Sequence, residues 1–141
     1  MSAASDKIAF AVPVAPQPQP RPRFFVKYKG TKHRVGVYTP GDVKSYKNYL
    51  ALVARTEALR CGIEEPAAGP VGITIVFGLG SRPSVSRPDL DNLAKAVIDA
   101  LTGVIIQDDP QIVEAHLYKT GGAERVEVAV EFLSEGGEID E

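Results

Sequence analysis

Asp89 and Asp91 stand two residues apart, Lys95 follows four residues after the second, and Asp108-Asp109-Pro110-Gln111 comes after a helix-length gap. Clustered carboxylate oxygens are what a hard divalent cation requires, and an ammonium one helical turn away suits the charge of a phosphate. Asp89, Asp91 and one of Asp108 or Asp109 are therefore candidate ligands for magnesium or manganese. Such an ion would polarise a scissile phosphate and activate an attacking water, with Lys95 offsetting charge that develops on the phosphate. That is the chemistry of a metal-dependent nuclease.

Each acid also has a structural duty open to it. Asp89 precedes an apolar helical stripe and could be its N-cap, Asp91 would sit well in the first turn of the helix dipole, and Asp108-Asp109 before proline is a turn former. Lys95 could make an ordinary surface ion pair with Asp91 or Asp99, worth a few tenths of a kcal/mol. A cap needs only one acid, however, and Asp91, Lys95 and Asp99 repeat at i, i+4 on a face with no core duty.

Other chemistries fit less well. An aspartate-nucleophile phosphatase needs its acids directly after a buried strand, whereas Ser86-Arg87-Pro88 intervenes here. Nucleotide-sugar transferases with a D-x-D motif need a larger nucleotide-binding domain, and an EF-hand loop would need glycine and glutamate where this chain has neither. His33 and His116 are too far apart in sequence to suggest a metal pair, and no glycine-rich phosphate loop or Ser/His/Asp arrangement is present.

The elements that must hold these residues are legible from periodicity. Ile8 to Val14 alternates as a strand, and Pro16, Pro18, Pro20 and Pro22 then impose an extended segment, either a linker or an arm presenting Arg21 and Arg23. Phe24 to Tyr28 and Val35 to Tyr38 form a basic-tipped hairpin, and a helix runs from Val43 to about Cys61. Val71 to Gly78 reads as a strand with Val71, Ile73, Ile75 and Phe77 buried, and the loop that follows exposes Arg82 and Arg87. A second helix has Leu90, Leu93, Ala94, Val97, Ile98 and Leu101 as its apolar stripe. Val104-Ile105-Ile106 is expected as a short strand, and Ile112 to Tyr118 and Val126 to Phe132 as two more, paired through Gly121-Gly122. The expected fold class is α+β: one domain with a mixed β-sheet and two main helices. Its expected limits are 8–133, between a flexible leader (1–7) and an acidic disordered tail (134–141) that holds Glu135, Glu138, Asp140 and Glu141.

With 141 residues, 44% hydrophobic and 24% charged, the chain can bury one core without staples. Its single cysteine, Cys61, permits no internal disulfide and no cysteine-based metal site, which suits a reducing, cytoplasmic setting. No apolar run approaches the ~20 residues of a membrane span, so no membrane partner is expected. The net charge of −2 conceals a strongly basic segment: between Arg21 and Arg55 lie nine lysines and arginines, with Asp42 the only acid. Arg21, Arg23, Lys27, Lys29, Lys32 and Arg34 are therefore candidate contacts to a nucleic-acid backbone, set against the plain alternative of a solvated basic face.

Taken together, Asp89-Leu90-Asp91-Asn92-Leu93-x-Lys95, Asp99-Ala100-Leu101-Thr102 and Asp108-Asp109-x-Gln111 resemble the signature of the RusA-type Holliday junction resolvases. Pro18-x-Pro20-Arg21-Pro22-Arg23-Phe24 and Tyr38-Thr39-Pro40 resemble the opening of phage-borne members, so the likeness covers about residues 8 to 133. The resemblance implies a homodimeric α+β endodeoxyribonuclease of DNA recombination and repair, which binds four-way junctions and nicks two opposing strands symmetrically with magnesium or manganese. By motif match it implies Asp89, Asp91 and Asp109 as the metal-binding carboxylates and Lys95 as the catalytic lysine, with Asp109 preferred to Asp108. A non-catalytic DNA-binding protein of the same fold and a nuclease for other branched DNA are the rival expectations.

Overall fold

The computed structural model describes the backbone of residues 6–19, 23–29, 32–38 and 41–134, and the side chains of 6–19 and 43–134. The expected leader (apart from its last two residues), the acidic tail from Glu135 onward with Glu138, Asp140 and Glu141, and Arg21 lie outside the described residues. In chain order the elements are β1 (Lys7–Val12), β2 (Arg23–Lys29), β3 (Lys32–Tyr38), α1 (Gly41–Arg60), β4 (Val71–Gly80), α2 (Leu90–Leu101), β5 (Ile112–Thr120) and β6 (Gly122–Phe132).

Four strands make one mixed sheet in the order β1-β6-β4-β5, and β2 and β3 pair separately as an antiparallel hairpin. With the two helices this is the expected α+β fold. Strand alternation decides which face is buried: Ile73 of β4 pairs with Val130, Ile75 with Val128 and Phe77 with Val126, and Ile8 and Val12 of β1 extend the same surface. All of these are buried. α1 packs on β1 and α2, and α2 packs on β5. Leu93, Val97 and Leu101 of α2 are fully buried, each contributing about 1.5–3 kcal/mol relative to exposure. The opposite sheet face carries small side chains, among them Ala9, Ala11, Thr74 and Ala129. Among the described residues no helix is long and apolar enough to cross a membrane.

Two expectations are corrected. Val104-Ile105-Ile106 forms no strand: Gly103 takes φ +86°, the backbone amides of Ile105 and Ile106 donate to the carbonyl of Leu101, and Gly103 donates to Ile106. The chain folds around the end of α2 and buries both isoleucines, so their β-branched character serves the core instead of a ladder. β5 and β6 are not partners either, because β4 lies between them, parallel to β5 and antiparallel to β6. The chain steps over the end of β4 with Gly122 at φ +88°. That crossing leaves no room at Gly78, where a Cβ would come within 2.2 Å of the Ala123 carbonyl oxygen.

Tyr46 of α1 enters the core at 3% exposure. Burial pushes its phenol up from the ordinary 10.0 to about 12, with the Gln17 backbone pulling slightly the other way. No described group completes a normal hydrogen bond to that hydroxyl. Because the folded state holds the neutral form, the stability this group confers is fully present below about pH 10 and is lost as pH rises towards about 12. Tyr46→Phe should therefore lessen the alkaline fall in stability, while at neutral pH it stays within about 1 kcal/mol of the wild type or gains. Urea titrations on both sides of the window check this, and an identical alkaline fall in the variant would refute it.

Candidate active site

The end of β4 and the start of α2 present the first half of the candidate site. Asp89 occupies the N-cap position of α2 with an extended backbone, φ −67° and ψ 148°, yet its side chain makes no capping hydrogen bond. Its carboxylate is 52% exposed, and its ion pair is a loose 3.7 Å contact with Arg87. The structural duty open to Asp89 is thus left unperformed. Asp91 lies exposed in the first turn, where its Oδ1 accepts the Asn92 backbone N–H at 2.9 Å. Free N–H groups and the positive end of the helix dipole favour negative charge at this end.

Lys95 is exposed one turn further on and has no ion pair among the described residues. The acid that might have engaged it, Asp99, is instead paired with Lys47 of α1 at 3.4 Å. Asp91 and Lys95 therefore flank one edge of α2 as unneutralised groups.

The loop that carries Asp89 is held from the sheet. Lys119, near the end of β5, donates from Nζ to the carbonyls of Ser86 at 2.7 Å and Pro88 at 2.9 Å, so it grips both sides of Arg87 just before Asp89. Sequence reasoning passed over Lys119. The signal was its parity: it pairs with Phe77 and shares a strand face with Leu117, where a lysine has no apolar reason to be.

The downstream acids behave differently from one another. Asp108 caps a one-turn 3₁₀ helix, Asp109–Gln111, by accepting the Asp109 backbone N–H at 2.8 Å. Gln111 completes a capping box: its Oε1 accepts the amides of Gln107 and Asp108, and its Nε2 donates to the carbonyls of Ala67 and Gly69, all between 2.7 and 2.8 Å. Asp109 has only a 3.5 Å contact with the Thr102 hydroxyl. Both acids are exposed, but Asp108 is absorbed by its turn and Asp109 is the uncommitted acid of the pair.

Thr102 stands at the C-terminal end of α2, however, and Asp89 and Asp91 stand at its N-terminal end. The structure brings Asp89 and Asp91 together with Lys95 and leaves Asp109 apart. Among the described residues no three acid, histidine or cysteine side chains are grouped closely enough to hold an ion.

The proline-rich segment is docked beside the first half of the site. Gln19 donates its backbone N–H to the carbonyl of Asn92 at 2.9 Å, next to Asp91. Only four residues of chain then lead to Arg23, at most ~14 Å away. The hairpin that follows sets Lys27 opposite Arg34 and Lys29 opposite Lys32, four basic positions on one face of the ribbon. The side chains of Arg23, Lys27, Lys29, Lys32 and Arg34 lie outside the described residues.

A family model described as Endodeoxyribonuclease RusA matches residues 13–131. The chain is also similar to a Bacillus subtilis (strain 168) protein described as "Uncharacterized protein YqaN". The two are 31% identical over 148 residues, which cover 92% of this chain and 99% of that one.

The Lys119 clamp yields a stability test. Lys119→Met should cost about 1–3 kcal/mol and speed amide exchange over residues 84–91, while the β1-β6 ladder keeps its protection. Exchange mass spectrometry reads this directly; unchanged exchange over 84–91 would mean that the clamp holds nothing.

Proposed function

The chain belongs to the RusA endodeoxyribonuclease family, and from that membership we propose that it is a magnesium- or manganese-dependent endonuclease that resolves Holliday junctions by paired symmetric nicks. The observation that carries this reading is the idle carboxylate of Asp89. A residue at a cap position that does not cap, next to an exposed Asp91 and an unpaired Lys95, supplies charge that the fold itself does not use. Hard oxygen donors at an exposed helix end fit magnesium or manganese, which keep several waters and complete their coordination with substrate phosphate. When bound there, the ion would supply Lewis-acid polarisation of the scissile phosphate.

The chain's own groups have distinct parts in this reading. Asp89 and Asp91 hold the ion, and Lys95, one turn along the same helix edge, faces the phosphate and offsets its growing negative charge. Lys119 keeps the Asp89 loop in place through the Ser86 and Pro88 carbonyls. Arg21, Arg23 and the basic hairpin bind the DNA backbone. Directly paired like charges destabilise a ribbon unless an anion lies against them, which favours a phosphate-bearing partner for the Lys27–Arg34 and Lys29–Lys32 positions. The docking of Gln19 on Asn92 keeps this arm close to the acids.

Two nicks related by symmetry call for two sites related by a two-fold axis, and a homodimer provides them. Asp91→Asn should retain four-way-junction binding while nicking in magnesium falls at least about 100-fold, and chelator should abolish wild-type nicking. Strand-by-strand mapping on junction, fork and linear duplex checks this. Normal cutting by the variant would remove Asp91 from the site; no metal-dependent nick by the wild type on any substrate would favour a non-catalytic DNA-binding protein; and equal cutting of forks would widen the substrate to branched DNA in general.

A further inference from the structure

We infer that the proline-rich strap, residues 14–19, is a gauge: it sets which phosphate of a bound strand the site cuts, and Gln19 is the positioning residue that fixes its length. This rests on the nuclease reading above and concerns how the cut position is chosen. Prolines at 16, 18 and 20 leave backbone N–H groups only at Gln17 and Gln19 in this stretch. Both of those residues meet the domain through their main chain: Gln19 donates to the Asn92 carbonyl at 2.9 Å, and the Gln17 backbone faces the Tyr46 hydroxyl of α1. An extended proline-rich linker ordinarily keeps its backbone in water. Here Pro16 is buried, Gln17, Pro18 and Gln19 are half-buried, and Val14 packs against the core. The strap is thus a seated part of the fold. Its last anchor, Asn92, stands on the same turn of α2 as Asp91.

The hairpin beyond the strap depends on that anchor. β2 and β3 share no ladder with the four-stranded sheet, so no strand pairing fixes where the ribbon stands. With Gln19 held, the chain to Arg23 keeps the base of the ribbon within ~14 Å of Asn92. Lys27 and Lys29 then lie roughly 14 and 20 Å further out along β2. Each strand of a DNA duplex presents a phosphate every ~3.4 Å along the axis, so a slip of a few ångströms moves the grip by one phosphate. One backbone hydrogen bond therefore decides the register between the basic positions and the acids. Without it the next firm anchor upstream is the buried Pro16, and the free chain to Arg23 lengthens to ~24 Å, which adds about three phosphates of play. A backbone donor suits this task better than a side chain, because it has no rotamers and the prolines on either side hold their own φ.

The test uses the full chain on an immobile four-way junction labelled on each strand in turn, with nicks in magnesium mapped to the nucleotide. Gln19→Ala keeps the N–H and loses the side chain, whereas Gln19→Pro keeps the extended backbone and loses the N–H as well. Gln19→Ala should cut where the wild type cuts. Gln19→Pro should bind the junction within about threefold of the wild type and spread its nicks over about three phosphates. Inserting a further Pro-Gln pair directly after Gln19 leaves the anchor in place and should displace the cut by about two phosphates. A merely structural role would lower the amount of nicking without moving it. Wild-type cut positions in Gln19→Pro or in the insertion variant would overturn the gauge, and so would equal spreading by Gln19→Ala. The mapping is repeated with Fe²⁺ and peroxide, whose radicals cut DNA beside a bound ion without hydrolysis. Radical cuts that move with the insertion, on a wild type that makes no nick in magnesium, would uphold the gauge while defeating the nuclease reading. Radical cuts that stay in place would overturn the gauge.

Discussion

The parallel pairing of β4 with β5 governs everything that follows it in the chain. Two parallel neighbours cannot be joined by a tight turn, so the chain must return from the end of one strand to the start of the next, and α2 is that return. The ends of α2 are thereby committed to opposite ends of the sheet. Whatever chemistry sits before the helix is set apart from whatever follows it by the full length of the element. The apolar stripe of α2 that makes the crossover stable is also what holds its acid-bearing edge in solvent, because the stripe and the edge are opposite sides of one helix.

Much of this was legible in the residues. The alternation of Val71, Ile73, Ile75 and Phe77 and the helical stripe from Leu90 to Leu101 each specify an element and its buried face, and the structure follows both. What failed was long-range. Gly121-Gly122 looks like a hairpin turn between two strands, but nothing local reveals that the unusually apolar β4 needs neighbours on both edges and takes β5 and β6 as those neighbours. Val104-Ile105-Ile106 has the composition of a strand and the burial of a core plug, and only the fold around the end of α2 distinguishes the two.

The candidate site shows the same division. Residue type and spacing pick out Asp89, Asp91 and Lys95, since these share one short stretch of helix. Spacing alone does not show where Asp109 stands, because adjacency in a motif says nothing of which end of the sheet a residue reaches. Lys119 was hidden for the opposite reason: its partners are backbone carbonyls far away in sequence, and carbonyls carry no sequence signal. A lysine on a strand's inward parity is the kind of local contradiction that marks either a functional or a bracing role.

Gln111 illustrates how such a contradiction can mislead in the other direction. Its amide accepts two backbone N–H groups and donates to two carbonyls, so both ends of the side chain are satisfied at once. Glutamate lacks the donors, lysine and arginine lack the acceptor, and asparagine is one methylene too short. The set of residues that can stand at this position is thus reduced almost to one by hydrogen-bond arithmetic alone. A glutamine beside an acidic pair invites assignment to the chemistry, yet here its identity is dictated by the turn. In a protein of this kind, intolerance to substitution and participation in a reaction are separate properties, and position 111 possesses the first without needing the second.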